Sequence, residues 1–404
     1  MAAGVLPKAE GSEIGRPAGV ASRITSLDFV RGVAMILMAI DHVRVYSGLP
    51  AGGPTPGIFF TRWVTHFCAP VFVFLTGTAA FLHGRKLGSK AGLSKFLFTR
   101  GLWLIFLELT FLRLAWTFNF DYAHYMLAGV IWMIGWCMVL MAILVRLPVT
   151  AVAASGIAIM ALHNLADVFH VAQKFGDEGP NWLLKILYFG GGFEFGKDGP
   201  PLLILFVLVP WIGVMMAGYG FGGIMTMPPD RRRAICFRLG AALTAGFIVL
   251  RAINSYGDPR PWRSGGTTPA VLSFLNAAKY PASLDFLLMT LGPMFLLLAL
   301  AEAWHGPVSR AVTTFGRVPM FYYLLHIPLI HGAACVVSLA REGRVDPWLF
   351  ANHPLNPGRA PAGYAWTLGL LYAVYAACLV AMYFPCRWFA RVRAARKSAW
   401  LSYL

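Results

Sequence analysis

Leu27-Asp28-Phe-Val-Arg31-Gly32-Val-Ala34-Met-Ile-Leu-Met-Ala-Ile-Asp41-His42-Val-Arg44-Val-Tyr46-Ser47 has an apolar centre, with its ionisable side chains gathered at the two ends. As a helix it rises about 30 Å at 1.5 Å per residue, which matches the hydrocarbon thickness of a bilayer. Comparable runs follow at 64–83, 97–117, 124–145, 149–169, 202–225, 235–254, 283–303, 319–340 and 365–385. Of the 404 residues 58% are hydrophobic and 13% charged, and the mean hydropathy is +0.64. A soluble domain needs more polar side chains to cover its surface. The expected fold is therefore all-α, a polytopic transmembrane helix bundle of about ten spans.

The formal net charge is +17, but the basic residues do not form a nucleic-acid face. They fall in loops on one side of the expected bundle. Lys8, Arg16 and Arg23 lie in the leading segment, and Arg85, Lys86, Lys90, Lys95 and Arg100 around the second loop. Arg231, Arg232 and Arg233, then Arg310, and finally Arg387, Arg391, Arg393, Arg396 and Lys397 complete the set. The opposite loops are acidic or mixed: Asp121; Asp177, Glu178, Glu194 and Asp198; Asp258 with Arg260 and Arg263; Glu342 with Asp346. The positive-inside rule then places both ends in the cytoplasm, N-in and C-in. The bilayer is the expected partner and nucleic acid is not.

Residues 1–22 are rich in Gly, Ala, Pro and Ser and lack an apolar core, which reads as a flexible cytoplasmic tail and not a signal peptide. Residues 23–390 form the membrane domain and 391–404 a basic cytoplasmic tail. The cysteines at 68, 137, 236, 335, 378 and 386 sit in or beside apolar runs without zinc-like or redox spacing; they read as packing residues, and no metal is expected. Two outward loops, Val171–Pro201 and Asn254–Ala282, exceed ordinary lengths. Either could be a plain connector. The second, with Tyr256, Trp262 and Tyr280, suits a lid or acceptor platform. No internal repeat of fixed period is present.

Polar groups inside a membrane are costly and mark candidate sites. On an ideal helix Asp28, Arg31 and His42 fall within roughly 60° of one another, with Asp28 and His42 about 21 Å apart along the axis. One stripe thus carries an acid–arginine pair at the cytoplasmic end and an imidazole at the outer end. Asp41 points elsewhere unless the helix end unwinds. A histidine beside an aspartate suits proton transfer near neutral pH, although Asp28 could simply cap the helix and His42 be interfacial. In the second span Arg62, His66 and Pro70 share a face at four-residue spacing, so His66 could converge on His42 or be a buried structural histidine. Glu108 and Arg113 do not share a face and more readily pair with other helices than with each other. In the ninth span Tyr322, Tyr323, His326 and His331 cluster, and His326 precedes Pro328, where helix geometry is broken.

The stretch Ser26-Leu-Asp28-Phe-Val-Arg31-Gly32-Val-Ala34, with a histidine eleven residues after the arginine, resembles the opening helix of the integral-membrane acyltransferases. More closely, the chain resembles the bacterial branch related to the heparan-α-glucosaminide N-acetyltransferase catalytic domain. The resemblance rests on Leu27 to Arg44, Thr61-Arg62-Trp63-Val-Thr-His66-Phe-Cys-Ala-Pro70, Arg100 to Asn119, Asn254-Ser-Tyr256-Gly-Asp258-Pro, Thr290-Leu-Gly292-Pro293, and Phe315-Gly316-Arg317-Val-Pro319 through His326. One departure is plain: the sugar-acetylating enzyme carries its key histidine in the loop after the first span, whereas Val45 to Phe60 here contains none.

The resemblance implies acyl transfer across a bacterial inner membrane. Acetyl-CoA or another acyl-CoA is the cytoplasmic co-substrate, and a glycan or lipid-linked amine or hydroxyl is the acceptor. On this reading His42 is base or acyl carrier, Asp41 orients it, and His66 and His326 assist. Asp28 and Arg31 shape the donor entrance, while Arg44, Arg62, Glu108, Arg113 and Tyr280 support the site. A homodimer is left open. Two other readings of the same polar stripe are a transporter or channel relay and a structural protein whose polar groups lock helices together.

Overall fold

A computed structural model describes residues 23–401 apart from 54, 124, 195, 197–198, 266–267, 352–359, 397 and 399–400. The expected tail at 1–22, Asp198 and Lys397 lie outside the described residues, as does most of the segment after Arg396.

Helices dominate. They are α1 (Thr25–Tyr46), α2 (Pro56–Leu87, with a 3-10 turn at Val64–Phe67), α3 (Lys90–Leu107), α4 (Val130–Leu144), α5 (Val149–Val168), α6 (Val209–Phe221), α7 (Pro229–Ile253), α8 (Leu284–Ala301), α9 (Pro307–Arg317), α10 (Pro319–Glu342) and α11 (Leu368–Ala395). Among the described residues six are long and apolar enough to cross a membrane: α2, α5, α7, α8, α10 and α11. The other expected spans are helical too but depart from that standard. α1 carries Asp28, Arg31, Asp41 and Arg44, α4 and α6 are short, and α3 passes through a π-helical turn at Glu108–Leu112 before ending at Thr117.

The local causes are ordinary. Ser89, Ser283 and Thr367 accept hydrogen bonds from backbone N–H groups in the first turns of α3, α8 and α11, supplying acceptors that a helix start lacks. α2 ends at Gly88, whose φ of 64° is left-handed and costs glycine little.

Two span boundaries need correction, and a short three-stranded sheet joins the mostly helical fold. Met126–Ala128 (β1) pairs in parallel with Pro201–Ile204 (β3), which pairs antiparallel with Gly191–Glu194 (β2). The spans expected at 124–145 and 202–225 therefore begin later, at Val130 and Val209. Hydropathy cannot tell a short buried strand from the start of a buried helix, and Pro201-Leu-Leu-Ile204 is such a run. At the other end α11 remains helical to Ala395, past the boundary expected at 390.

Helices approach closely through small residues, as membrane packing favours. α1 and α9 meet backbone to backbone at Gly32 and Gly316. A Cβ on Gly316 would fall 1.7 Å from the Asp28 carbonyl oxygen, and one on Gly32 would fall 2.1 Å from that of Val312. Gly32 of the Arg31-Gly32 pair is thus a packing requirement. Gly316→Ala should cost about 1–3 kcal/mol by overpacking, read as a lowered melting temperature in detergent. Gly332→Ala on α10, where an added Cβ meets nothing within 4 Å, should be neutral or stabilising. Equal melting temperatures for the two variants would refute this close-contact account.

All six cysteines are free, five of them buried.

Candidate active site

α1 brings Arg31 to one cavity and His42 to another. The outer cavity, at the Tyr46 end of α1, is lined by Asp41, His42 and Arg44 of α1, Arg62 and Phe72 of α2, Glu108, Lys279, Tyr280 and Tyr323. The inner cavity, at the Thr25 end, is lined by Arg31, Phe72, Thr76, Arg100, Met320 and Tyr323. Phe72 and Tyr323 belong to both walls. The two spaces therefore abut across a waist of two aromatic side chains, about 16 Å of α1 separating Arg31 from His42 at 1.5 Å per residue.

The imidazoles of His42 and His326 meet with Nδ1 of the first 2.7 Å from Nε2 of the second. Their planes are 23° apart with ring centroids 4.8 Å apart, so the contact runs near the plane of both rings, as an N–H to lone-pair hydrogen bond requires. His326 Nδ1 lies 3.1 Å from the Tyr322 carbonyl oxygen and 2.8 Å from that of Tyr323. Carbonyls only accept, so this nitrogen carries the hydrogen, and Nε2 of the neutral ring is an acceptor. His42 Nδ1 must then be the donor. That leaves the lone pair of His42 on Nε2, on a ring that lines the outer cavity. Trp116 packs edge-on against the His42 ring at 4.9 Å. The tautomer is assigned from this hydrogen-bond network.

Glu108 begins the π-helical turn, a distortion frequent at functional sites. It is buried, and its Oε2 accepts from Ile131 N at 2.9 Å and Trp132 N at 3.1 Å. The carboxylate thus satisfies the orphan donors at the start of α4, where the helix dipole favours negative charge. A Cβ at Gly129 would come within 2.7 Å of its other oxygen, so the chain must be bare there.

The remaining candidates divide. Asp41 lines the cavity but binds Arg44, Oδ1 to Nε at 2.7 Å, and Arg44 also donates to the Leu49 carbonyl at 3.1 Å. The partner of His42 is His326, 284 positions away, in place of the neighbouring aspartate. At the inner end Asp28 pairs with Arg23 and lies 3.6 Å from Arg31, which donates to the Leu75 carbonyl at 3.2 Å. His66 lines neither cavity. It sits in the 3-10 turn of α2, is 6% exposed, packs on Phe286 and has no hydrogen-bond partner on either nitrogen among the described residues. Arg113 is buried away from the cavities. It donates to Thr117 Oγ1 at 2.5 Å, to both oxygens of Asn119 and to the Asp121 carbonyl, so it organises the turn after α3.

Lys279 was not singled out in the sequence. It lines the cavity beside Tyr280, its Nζ 5.3 Å from the Tyr280 ring and 5.7 Å from that of Phe206, within cation–π reach. The signal available in the sequence is a basic residue directly before the Tyr280-Pro281 step of a long loop. Neither Arg62 nor Lys279 forms an ion pair among the described residues.

The Asn254–Ala282 loop is pinned from beneath, which is how it comes to wall the cavity. Arg251 Nη1 lies 3.6 Å from Asp258 Oδ1 and 3.5 Å from Asp285 Oδ2. Asp258 in turn accepts from Ala278 N at 2.6 Å and Ser283 Oγ at 2.7 Å. Lys279 and Tyr280 follow directly on Ala278.

A family model described as "Heparan-alpha-glucosaminide N-acetyltransferase, catalytic" matches residues 23–249, which contain α1 through most of α7. No curated protein matches the chain.

Proposed function

The chain belongs to the heparan-α-glucosaminide N-acetyltransferase catalytic family, and on that footing we propose that it is a transmembrane acetyltransferase with His42 at its reactive centre. The proposed topology has ten crossings with both ends in the cytoplasm of a bacterial inner membrane. It is supported by the one-sided placement of Lys86, Arg231, Arg310 and Arg387. In this topology the helices α1, α3, α4 and α6 would be the four crossings beyond the six long apolar ones. Residues 23–390 form the membrane domain.

In this reading acetyl-CoA, or another acyl-CoA, enters from the cytoplasmic side, where Arg31 and Arg100 offer guanidinium groups suited to phosphate or carbonyl oxygens. Its slender thioester arm passes Phe72 and Tyr323 into the outer cavity. The acceptor, an amine or hydroxyl of a sugar or lipid-linked glycan, comes from the other side between Tyr280 and Lys279. His42 Nε2 takes the acceptor proton as the nitrogen or oxygen attacks the thioester carbonyl. The C–S bond then breaks, and the proton passes from His42 to the departing thiolate. His326 is a positioning residue. It holds His42 in the tautomer whose lone pair faces the reaction and shares the charge as imidazolium forms. Arg62 and Lys279 are placed to stabilise the oxyanion that develops on the carbonyl.

The observation that carries the proposal is the pair of cavities meeting at Phe72 and Tyr323, with His42 lining the outer one and its Nδ1 engaged by His326. The test is transfer of labelled acetyl from acetyl-CoA to amino sugars and membrane glycans by purified, reconstituted protein. Label that never leaves the donor with any acceptor rejects it.

His326→Ala should slow transfer by about 10- to 100-fold, the worth of one lost hydrogen bond to a group that becomes charged. His326→Gln, whose amide oxygen can accept from His42 Nδ1, should recover most of the loss. The alanine variant should also move the pH–rate profile, because His42 loses the partner that supports its charged form. If glutamine gives no recovery and the profile does not move, His326 is only a packing residue.

A further inference from the structure

A separate groove opens at the Thr25 end of the bundle and shares no lining residue with the inner cavity. Its two long walls are α9 and α11. Arg310 and Arg317 stand seven residues apart on α9, and Arg387 and Arg391 stand four apart on α11, so each pair shares a helix face. Phe29 and Tyr383 help form the floor, and the space measures about 660 Å³. Arg393 ties the walls together by donating to the Arg317 carbonyl at 3.0 Å.

The charge of this groove is uncompensated among the described residues. None of the four lining arginines forms an ion pair among the described residues. Two carboxylates at this end are paired elsewhere: Glu302 with Arg232 at 2.5 Å, and Asp28 with Arg23 and Arg31. Four guanidinium groups on one concave surface repel one another and concentrate anions. A second feature sets the kind of anion. Trp304, 48% exposed, lines the groove, and Val308, Phe384 and Trp388, each 60% exposed or more, are next in sequence to lining residues of α9 and α11. A soluble anion has no use for these apolar side chains, whereas a lipid places its phosphate among the arginines and its chains along the aromatic side chains. Basic clusters beside membrane helices attract anionic lipids.

We propose that this groove is a binding site for an anionic glycerophospholipid, with the phosphate between the arginines of α9 and α11 and the acyl chains over Phe384 and Trp388. The proposal rests on the chain lying in a membrane and is independent of acyl transfer. An occupant there would clamp α9, and with it the Gly32–Gly316 contact, against α11.

The test uses the full chain in neutral detergent, with melting temperature and native mass spectrometry as readouts. Phosphatidylglycerol should raise the melting temperature by several degrees and be retained on the protein, and phosphatidylcholine with the same chains should do neither. Arg310→Gln/Arg387→Gln/Arg391→Gln should abolish both effects, and the corresponding lysine variants, which keep the charge, should preserve most of them. If the glutamine triple does not fold, the Arg387→Gln and Arg391→Gln single variants should each lower lipid retention. Equal responses to the two lipids, or retention that ignores the arginines, overturns the proposal. An arginine-dependent shift of the same size from inorganic phosphate or coenzyme A also overturns it, since the groove is then a soluble-anion site.

Discussion

His42→Ala should lower acetyl transfer by about 10²–10⁴-fold, the usual contribution of a positioned general base, while leaving the melting temperature close to that of the parent. The side chain lines a cavity and hydrogen-bonds to His326, so its loss removes chemistry more than core packing. Adding His326→Ala to His42→Ala should cost little more, because the second histidine acts only through the first. An additive double variant would mean that the two imidazoles serve separate steps. A His42→Ala protein that transfers acetyl at the parent rate would remove His42 from the mechanism.

The second large effect concerns the outer loop. Arg251 is buried between Asp258 and Asp285, and it also donates to the carbonyls of Phe274 and Arg260 at 3.0 Å each. Arg251→Ala leaves two buried carboxylates facing each other without a cation, a change that costs about 3–5 kcal/mol in comparable sites. The expected result is a marked drop in melting temperature, with transfer falling as Lys279 and Tyr280 leave the cavity wall. Arg251→Lys should restore little, because a single ammonium cannot bridge both carboxylates and the loop carbonyls as a guanidinium does. Parent-like stability in Arg251→Ala would show that the loop is held by other contacts.

Much of this architecture could be read from the chain. Alternating apolar runs and basic loops located the helices, and the ionisable ends of the first run located Arg31 and His42. What escaped did so for identifiable reasons. Pro201–Ile204 and Met126–Ala128 are strands because they pair with each other, a long-range fact that local hydropathy does not contain. Four-residue spacing put His66 on the face of Arg62, but that arithmetic assumes an unbroken α-helix. The 3-10 turn at Val64–Phe67 changes the phase, and the histidine turns away from the cavity. Adjacency favoured Asp41 as the partner of His42, yet Arg44 lies one turn along the same helix and claims the carboxylate. His326 was visible as a polar residue in an apolar helix; that its Nε2 meets His42 depends on how α1 and α10 pack. Lys279 was overlooked because a lysine in a loop is ordinarily solvated, and only the Arg251–Asp258 latch brings this one inward.

In the proposed function one molecule joins a donor on one face of the membrane to an acceptor on the other through the waist at Phe72 and Tyr323. Sealed proteoliposomes with an amino-sugar acceptor trapped inside and labelled acetyl-CoA outside test it directly. The account predicts label on the trapped acceptor, with the coenzyme A product remaining outside, and no label on the acceptor with His42→Ala. Transfer only when donor and acceptor share one compartment would contradict it.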